Sequence, residues 1–467
     1  MEPGAEGCTG RNTVAVIGGG FSGLMTALHL VAREDGPAVL LIDRSTSFGR
    51  GPAYATDNPE HLLNVRAGNM SAWPDRPDDF ADWLVANRIQ PSAGGFATRA
   101  SYGAYLQTLL QEGLSRSAPG RLTLVPDEAV AVEAQGTGWR VRLRAGQAMA
   151  ADAVVLALGN LPPAAPGEVA EAALSSHAYV ADPWAIRTED LPEQGVAFLI
   201  GTGLTMVDVA LTLSRARPGL HILAVSRHGL LPRRQLADGP PPLPAAAPPD
   251  LPLSGLLRAF RREAHTHDWR SVLDGLRPHA QTIWRGWRVE QERRFLRHLR
   301  PWWEVHRHRV APAVSSRLDH LTGAGLLSVA AGRIRAIEPE GDGLSVVWAP
   351  RHGGDLRRTR AAMVVNCTGP AADLARAGDP LVSQMFAQGL IRPDPCRIGL
   401  QVDKENRLVG ADGVAHPTLF AVGAPTRGAL WEITSVPYIR SQAPACAEAA
   451  TLSVLASARV GEAGFRA

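Results

Sequence analysis

A chain of 467 residues is too long for one ordinary hydrophobic core and implies about two to four domains. Its 45% hydrophobic and 20% charged residues describe a globular protein, and a net charge of +3 is too small to imply a polyanionic partner such as nucleic acid. Lys404 is the one lysine among 48 basic residues, and with 47 Gly and 36 Pro this arginine bias reads as GC-rich coding.

Residues 1–12 carry neither a basic n-region nor a long apolar run, and no stretch of about 18 apolar residues occurs. Cys8, Cys367, Cys396 and Cys446 lie far apart, with no CxxC and no zinc-like spacing. The expectation is a cytoplasmic protein with reduced thiols, no membrane contact and no metal.

The first element is Val14–Asp43. A short apolar run, a Gly-Gly-Gly-Phe-Ser-Gly turn, an apolar-periodic helix and a second apolar run closing on a carboxylate predict one βαβ dinucleotide-binding unit. Gly18 turns off the strand, Gly20 admits a pyrophosphate, and Gly23 packs helix on sheet. Phe21 and Ser22 open the helix, whose N-terminal N–H groups and dipole suit phosphate. Asp43, beside Arg44, stands where a carboxylate accepts bonds from ribose hydroxyls.

Arg50 between Gly49 and Gly51 predicts a flexible cationic loop, either near a bound cofactor or simply at the surface. Leu63, Asn64 and Val65 follow in His61–Met70. Short amphipathic helices are expected over Asp78–Asn87 and Tyr102–Glu112, their aromatics in the core. Strands follow over Leu122–Val125, Ala129–Ala134 and Trp139–Leu143, then an apolar strand from Ala153 ending at Gly159, where backbone can approach a cofactor.

A second unit runs from Val196, with Gly201, Gly203, Leu204 and Thr205 at its turn. Met206 stands where the first unit has its third glycine, so helix and strand should pack less closely. Ser226-Arg227 replaces the acid at the end of the next strand, and a guanidinium there suits a 2′-phosphate. The first unit therefore reads as an FAD site and the second as an NADPH site. Arg333–Glu338, Leu344–Trp348 and Ala361–Gly369 repeat the strand order that precedes Gly159, so the expected fold is α/β with two Rossmann-like domains, the second inserted into the first. The expected boundaries are 1–170 and 355–467 for the FAD-binding domain and 190–354 for the NAD(P)-binding domain.

The second domain should carry a Pro-rich linker and helical insertion at 239–322. Phe295, Leu296, Leu299, Trp302 and Trp303 fall there at helical spacing and read as packing core. His265/His267 and His306/His308 are i, i+2 pairs that do not share a helix face, which argues against a metal site. Arg307 and Arg309 fit either the nicotinamide nucleotide or an anionic substrate. In the C-terminal part, Gly423 ends another apolar strand, and Trp431 and Thr434 precede a helix whose N-terminus would face the flavin pyrimidine; Thr434 could equally be a plain cap.

The stretches Val16–Gly23, Gly49–Thr56, Leu62–Val65, Gly201–Asp208, Ser226–Pro232, His306–Arg309, Asn366–Pro370 and Trp431–Pro437 resemble the bacterial FAD/NAD(P)-binding protein family. More distantly the layout is similar to NADPH-using flavin monooxygenases, including amino-acid N-hydroxylases. The resemblance implies hydride transfer from NADPH to flavin N5, addition of O2 at C4a, and oxygen transfer from the C4a-(hydro)peroxyflavin to a small amine substrate such as aspartate. Asn64, Trp431 and Thr434 are the pocket candidates. An NAD(P)H-flavin reductase and a flavin-bound redox-sensing protein are the alternatives, and the oligomeric state is left open.

Overall fold

The computed structural model describes residues 12–244 and 251–465. In the first part, β1 (Thr13–Ile17) and β2 (Ala38–Ile42) flank the helix Phe21–Val31. Helices Asp79–Ala86 and Arg99–Arg116 precede β3 (Leu122–Val125), an antiparallel meander of β4 (Ala129–Gln135), β5 (Gly138–Leu143) and β6 (Ala148–Ala151), and then β7 (Ala153–Leu156). The strands lie parallel in the order β7-β1-β2-β3. Both faces of this sheet are covered, which is why β1 and β7 are nearly continuous Val/Ala/Ile/Leu runs instead of alternating ones.

The second sheet contains β8 (Tyr179–Val180), β9 (Gly195–Ile200), β10 (Leu220–Ser226), β11 (Leu327–Glu340), β12 (Gly343–Pro350), β13 (Arg357–Ala361) and β14 (Met363–Asn366). Its parallel core, β14-β9-β10-β11, repeats the order of the first. β11 pairs parallel with β10 through Ala331 and antiparallel with β12 from Gly332, so one strand serves as both Rossmann strand and meander.

The chain then returns to the first sheet with β15 (Arg407–Val409) and β16 (Ala415–Ala421), the latter parallel to β7. The final helix, Val436–Phe465, packs on Phe21–Val31 in one core that joins Leu24, Met25 and Leu28 with Ile439, Ala443 and Ala447. The second domain is thus inserted into the first, as expected.

Three expectations need correction. β13 and β14 pair within the second sheet, so the first domain resumes after Asn366 and not at 355; β8 and the Val169–Ile337 bridge also draw part of 169–190 into the second domain. The loop around Arg50 is not flexible coil: Gly49 N–H bonds Gly19 C=O at 2.6 Å, and Gly51–Tyr54 forms a helical turn. Trp302 lies 46% exposed while Phe295 is buried, because Val289–His298 and Arg300–Arg307 are separate helices and do not share one apolar face. The Pro-rich linker lies partly outside the described residues, at 245–250.

Among the described residues no helix is long and apolar enough to cross a membrane.

The two domains are tied by a buried polar seam. Arg99, on the helix of the first domain, stands 2.8 Å from Asp208, on the helix of the second, with side chains 14% and 9% exposed. His61 meets the Asp208 carbonyl at 2.9 Å and Thr56 Oγ1 at 2.9 Å. Burial raises the Asp208 carboxyl above its ordinary range, opposed by Arg99 and His61. Arg99→Ala should therefore cost about 3–5 kcal/mol by stranding that carboxylate. Because a carboxyl whose folded pKa is raised destabilises increasingly as pH rises through it, the loss in Tm should be larger at pH 8 than at pH 5.

Candidate functional site: paired nucleotide cradles and a buried charge network

The glycines of the first turn divide by what faces them. A Cβ on Gly18 (φ +109°) would lie 2.2 Å from the Ala157 carbonyl, and one on Gly23 would lie 1.8 Å from the Gly18 carbonyl. These two are fixed by protein contacts. Gly20 faces only the Gly51 Cα at 3.7 Å, and Gly159 (φ +64°) faces open space, so both leave bare backbone for a ligand. The first helical bond runs from Leu24 N–H to Gly20 C=O, leaving the preceding N–H groups for an anion.

Phe21 and Ser22 are buried at the helix start, and Arg50 is half-buried with Nε lacking an acceptor. Asp43 accepts the Gly19 N–H at 2.5 Å and the Ser45 N–H at 2.7 Å, which fixes its carboxylate beside the turn, whereas Arg44 is exposed. Open glycine backbone, free helix N–H groups and an unpartnered guanidinium fit the diphosphate of FAD.

A second support joins Gly423 to three residues that carry no sequence signal. Gly423 (φ +75°) comes so close to the helix start that a Cβ would lie 2.4 Å from Ser22 Oγ. Its N–H donates to Gln442 Oε1 at 2.8 Å, and Gln442 Nε2 donates to Asn406 at 2.7 Å and Thr426 at 3.0 Å, all buried. An isolated Gln in an alanine-rich helix carries no motif, so only the tertiary contact reveals it.

Of the pocket candidates, Leu63 is buried and bonded to Ala97 C=O, while Asn64 and Val65 are half-buried. Trp431 is buried and stacks on Trp284 of the helical insertion, with centroids 4.8 Å apart. It belongs to the seam between insertion and first domain. Thr434 is half-buried, and the first N–H groups of the last helix, from Tyr438 and Ile439, bond Ser435 C=O, so the chain turns into helix one residue after Thr434.

The second turn copies the first. A Cβ on Gly201 (φ +117°) would lie 2.4 Å from the Cys367 carbonyl, while Gly203 and Gly369 (φ +87°) face open space. Met206 is fully buried at the position that corresponds to Gly23, where a methyl group would meet the Gly18 carbonyl. Leu204 and Thr205 are half-buried at the helix start. Ser226 Oγ accepts the Gly229 N–H at 3.0 Å and lies 2.8 Å from Thr202 Oγ1, so its hydroxyl is engaged in closing the turn.

Arg227 is exposed, and Arg351, a residue the sequence reading missed, donates from Nη1 to the Arg227 carbonyl at 2.9 Å and also meets His228 Nδ1. Burial and then Arg351 and Arg227 push the His228 imidazole below its ordinary range. Two guanidinium groups therefore flank the end of β10, the chemistry a 2′-phosphate requires. Arg351 follows β12, about 125 residues from Arg227, and only the β10–β11–β12 pairing unites them.

The helical insertion meets the first domain through buried charge. Glu432 is buried at φ +70°, a backbone region disfavoured for any residue with a Cβ. Trp303 Nε1 donates to its Oε1 at 2.6 Å, and Arg307 Nε stands 2.8 Å from its Oε2. Burial opposes ionisation of Glu432, but Arg307, His308 and the Trp303 N–H outweigh it and hold the carboxyl below its ordinary range. His306 instead meets the Trp302 carbonyl and His308 meets Glu304, so the two histidines of that pair have different partners.

A cavity of about 850 Å3 lies elsewhere, lined by His177, Tyr179, Asp342 and Arg360, and none of the cradle residues reaches it.

A family model described as FAD-NAD(P)-binding matches residues 15–161. This segment is similar to FAD-NAD(P)-binding domains. The chain is also 31% identical over 131 residues to the L-aspartate N-monooxygenase (nitrosuccinate-forming) of Streptomyces cremeus, a match that takes in 25% of this chain and 19% of that protein. The chain thus spans about a fifth of the length of that curated relative.

The whole fold matches solved N-hydroxylases. The ornithine N-hydroxylase of Kutzneria sp. 744 superposes with a TM-score of 0.65 at 15% identity, over 94% of this chain and 98% of that one. L-lysine 6-monooxygenase of Pseudomonas syringae gives 0.65 at 16%, over 95% and 100%. The FAD-NAD(P)-binding domain and its inserted partner therefore share the architecture of those enzymes.

Two outcomes are expected. Gly23→Ala should displace the helix from the turn and lower the flavin retained through purification, read as the 450 nm to 280 nm absorbance ratio. Arg227→Ala and Arg351→Ala should each weaken NADPH by about 10- to 100-fold, as for loss of a charge-assisted bond, with NADH affected little; equal losses for both nucleotides would refute a 2′-phosphate role.

Proposed function

We propose that the protein is an FAD- and NADPH-dependent monooxygenase that hydroxylates the amine of a small amino acid such as aspartate. The observation that carries this reading is the pairing of two cradles of one design but opposite charge. One ends on Asp43 and suits ribose hydroxyls; the other ends on Arg227 and Arg351 and suits a phosphate. The N-hydroxylase architecture and the aspartate N-monooxygenase match support the reaction class.

When bound, the flavin supplies the redox chemistry, taking hydride from nicotinamide and activating O2. The chain's own residues position and shield. Free N–H groups at the starts of Phe21–Val31 and Leu204–Ala216 hold the diphosphates. Gly159, Gly369 and Gly423 let backbone approach the cofactors, and the Trp284–Trp431 stack excludes water from the seam beside them.

The cysteines point away from the disulfide-reductase chemistry hosted by related two-nucleotide folds. Cys367 and Cys446 are buried, and burial pushes the Cys446 thiol up to about 12, so neither offers a thiolate at neutral pH.

The test is stoichiometric. Purified protein with NADPH, O2 and aspartate should form a hydroxylamine or its further oxidised product in proportion to NADPH consumed. If NADPH consumption yields only hydrogen peroxide with every amine tried, the reductase reading replaces this one; if the flavin is never reduced, neither stands.

A further inference from the structure

The seam between the helical insertion and the first domain holds more positive charge than its carboxylates can balance. Around Arg277 and Arg307, the arginines Arg300, Arg309 and Arg427 gather with Asp274, Glu304 and Glu432 as the neighbouring carboxylates among the described residues. Arg309 meets Asp274 at 2.5 Å, Arg300 meets Glu304 at 3.2 Å, and Arg307 meets Glu432 at 2.8 Å. Arg277 is left with Asp274 at a loose 3.7 Å, and Arg427 has no ion pair within 4 Å among the described residues. His308, between Glu304 and Glu432, adds a further cation whenever protonated.

Two of these guanidinium groups also carry unused donors. Arg307 is 4% exposed, yet its Nη2 finds no acceptor, and its Nε lies out of line for a hydrogen bond to Glu432 despite the short distance. The buried Nε of Arg277 likewise finds none. Arg277 is held in place through its backbone, whose carbonyl accepts the Tyr438 hydroxyl at 2.7 Å. Burial and then the neighbouring Arg307 pull the Arg277 guanidinium below its ordinary range, against the opposing pull of Asp274, Tyr438 and Glu432. Buried polar groups are ordinarily satisfied, and an unpaired buried charge is costly enough that a missing anion is the economical explanation.

We propose that Arg277 and Arg307 form the receptor for a carboxylate of the substrate, so that the enzyme selects amino acids with an acidic side chain over diamines and basic amino acids. A planar carboxylate would take the free Nη2 of Arg307 and the free Nε of Arg277 as paired donors. The site lies against the Trp431–Tyr438 segment of the first domain, which runs into the first turn of the last helix. The Arg227–Arg351 pair at the other cradle is a separate feature. The proposal rests on the monooxygenase reading for what happens to the amine, but carboxylate binding itself does not require turnover.

The test uses the purified flavin-loaded protein and succinate, a dicarboxylate without an amine, titrated by calorimetry at low ionic strength, with cadaverine and inorganic phosphate as comparison ligands. Succinate should bind and cadaverine should not. Arg277→Gln should weaken succinate at least tenfold while leaving NADP+ affinity, flavin content and Tm unchanged, and Arg277→Lys should recover part of the loss. Arg307→Lys, which keeps the charge beside Glu432 but loses the fork, should weaken succinate as well.

Absence of succinate binding to the parent protein, or unchanged binding in Arg277→Gln, would overturn the proposal. So would weakening of NADP+ instead of succinate, which would give the cluster to the nicotinamide nucleotide, or phosphate binding as tight as succinate. Succinate binding that depends on Arg277 without any N-oxidised product would sustain the receptor and remove the monooxygenase reading alone.

Discussion

The constraint that both nucleotide domains share is the close approach of each glycine turn to the strand that returns beside it. Gly18 presses on the Ala157 carbonyl and Gly201 on the Cys367 carbonyl, in both cases nearer than any side chain permits. That contact sets where the following helix begins, and hence where its free N–H groups point. It also fixes the end of β7 and of β14, from which Gly159 and Gly369 present bare backbone. The two cradles are thus one mechanical solution used twice, with the difference in nucleotide left to the residues at the end of the following strand.

Around these cradles the structure is joined by polar seams. Arg99, Asp208 and His61 link the two nucleotide domains, and Glu432 with Arg307 and Trp303 links the helical insertion to the first domain. Apolar packing accompanies the second seam, where Trp284 and Phe295 meet Ile398 and Trp431. Buried ion pairs of this kind add little net stability relative to apolar contacts, but they tolerate only one register, because any misalignment strands a charge. Two domains and an insertion that must hold reacting groups in fixed relation benefit from that intolerance.

Much of this was legible in the sequence because it is local. The βαβ units, the positive-φ glycines, the meander strands and the insertion of one domain in the other all follow from short-range spacing. Elements that depend on pairing between distant segments were not legible. β13 and β14 read equally well as part of either domain until their partners are known. Arg351, Gln442 and Arg277 carry no motif; each matters through a contact with a residue at least 19 positions away. Ser226 shows the opposite case: its position matched the pattern, but its hydroxyl is engaged in the turn.

The near-absence of lysine takes on a different meaning at the buried seam. An ammonium group taken out of water sheds its proton readily, whereas a guanidinium, with its far higher intrinsic pKa and delocalised charge, stays ionised. Whatever drove the composition, it leaves guanidinium groups at the seam, which hold their charge where an ammonium would give it up.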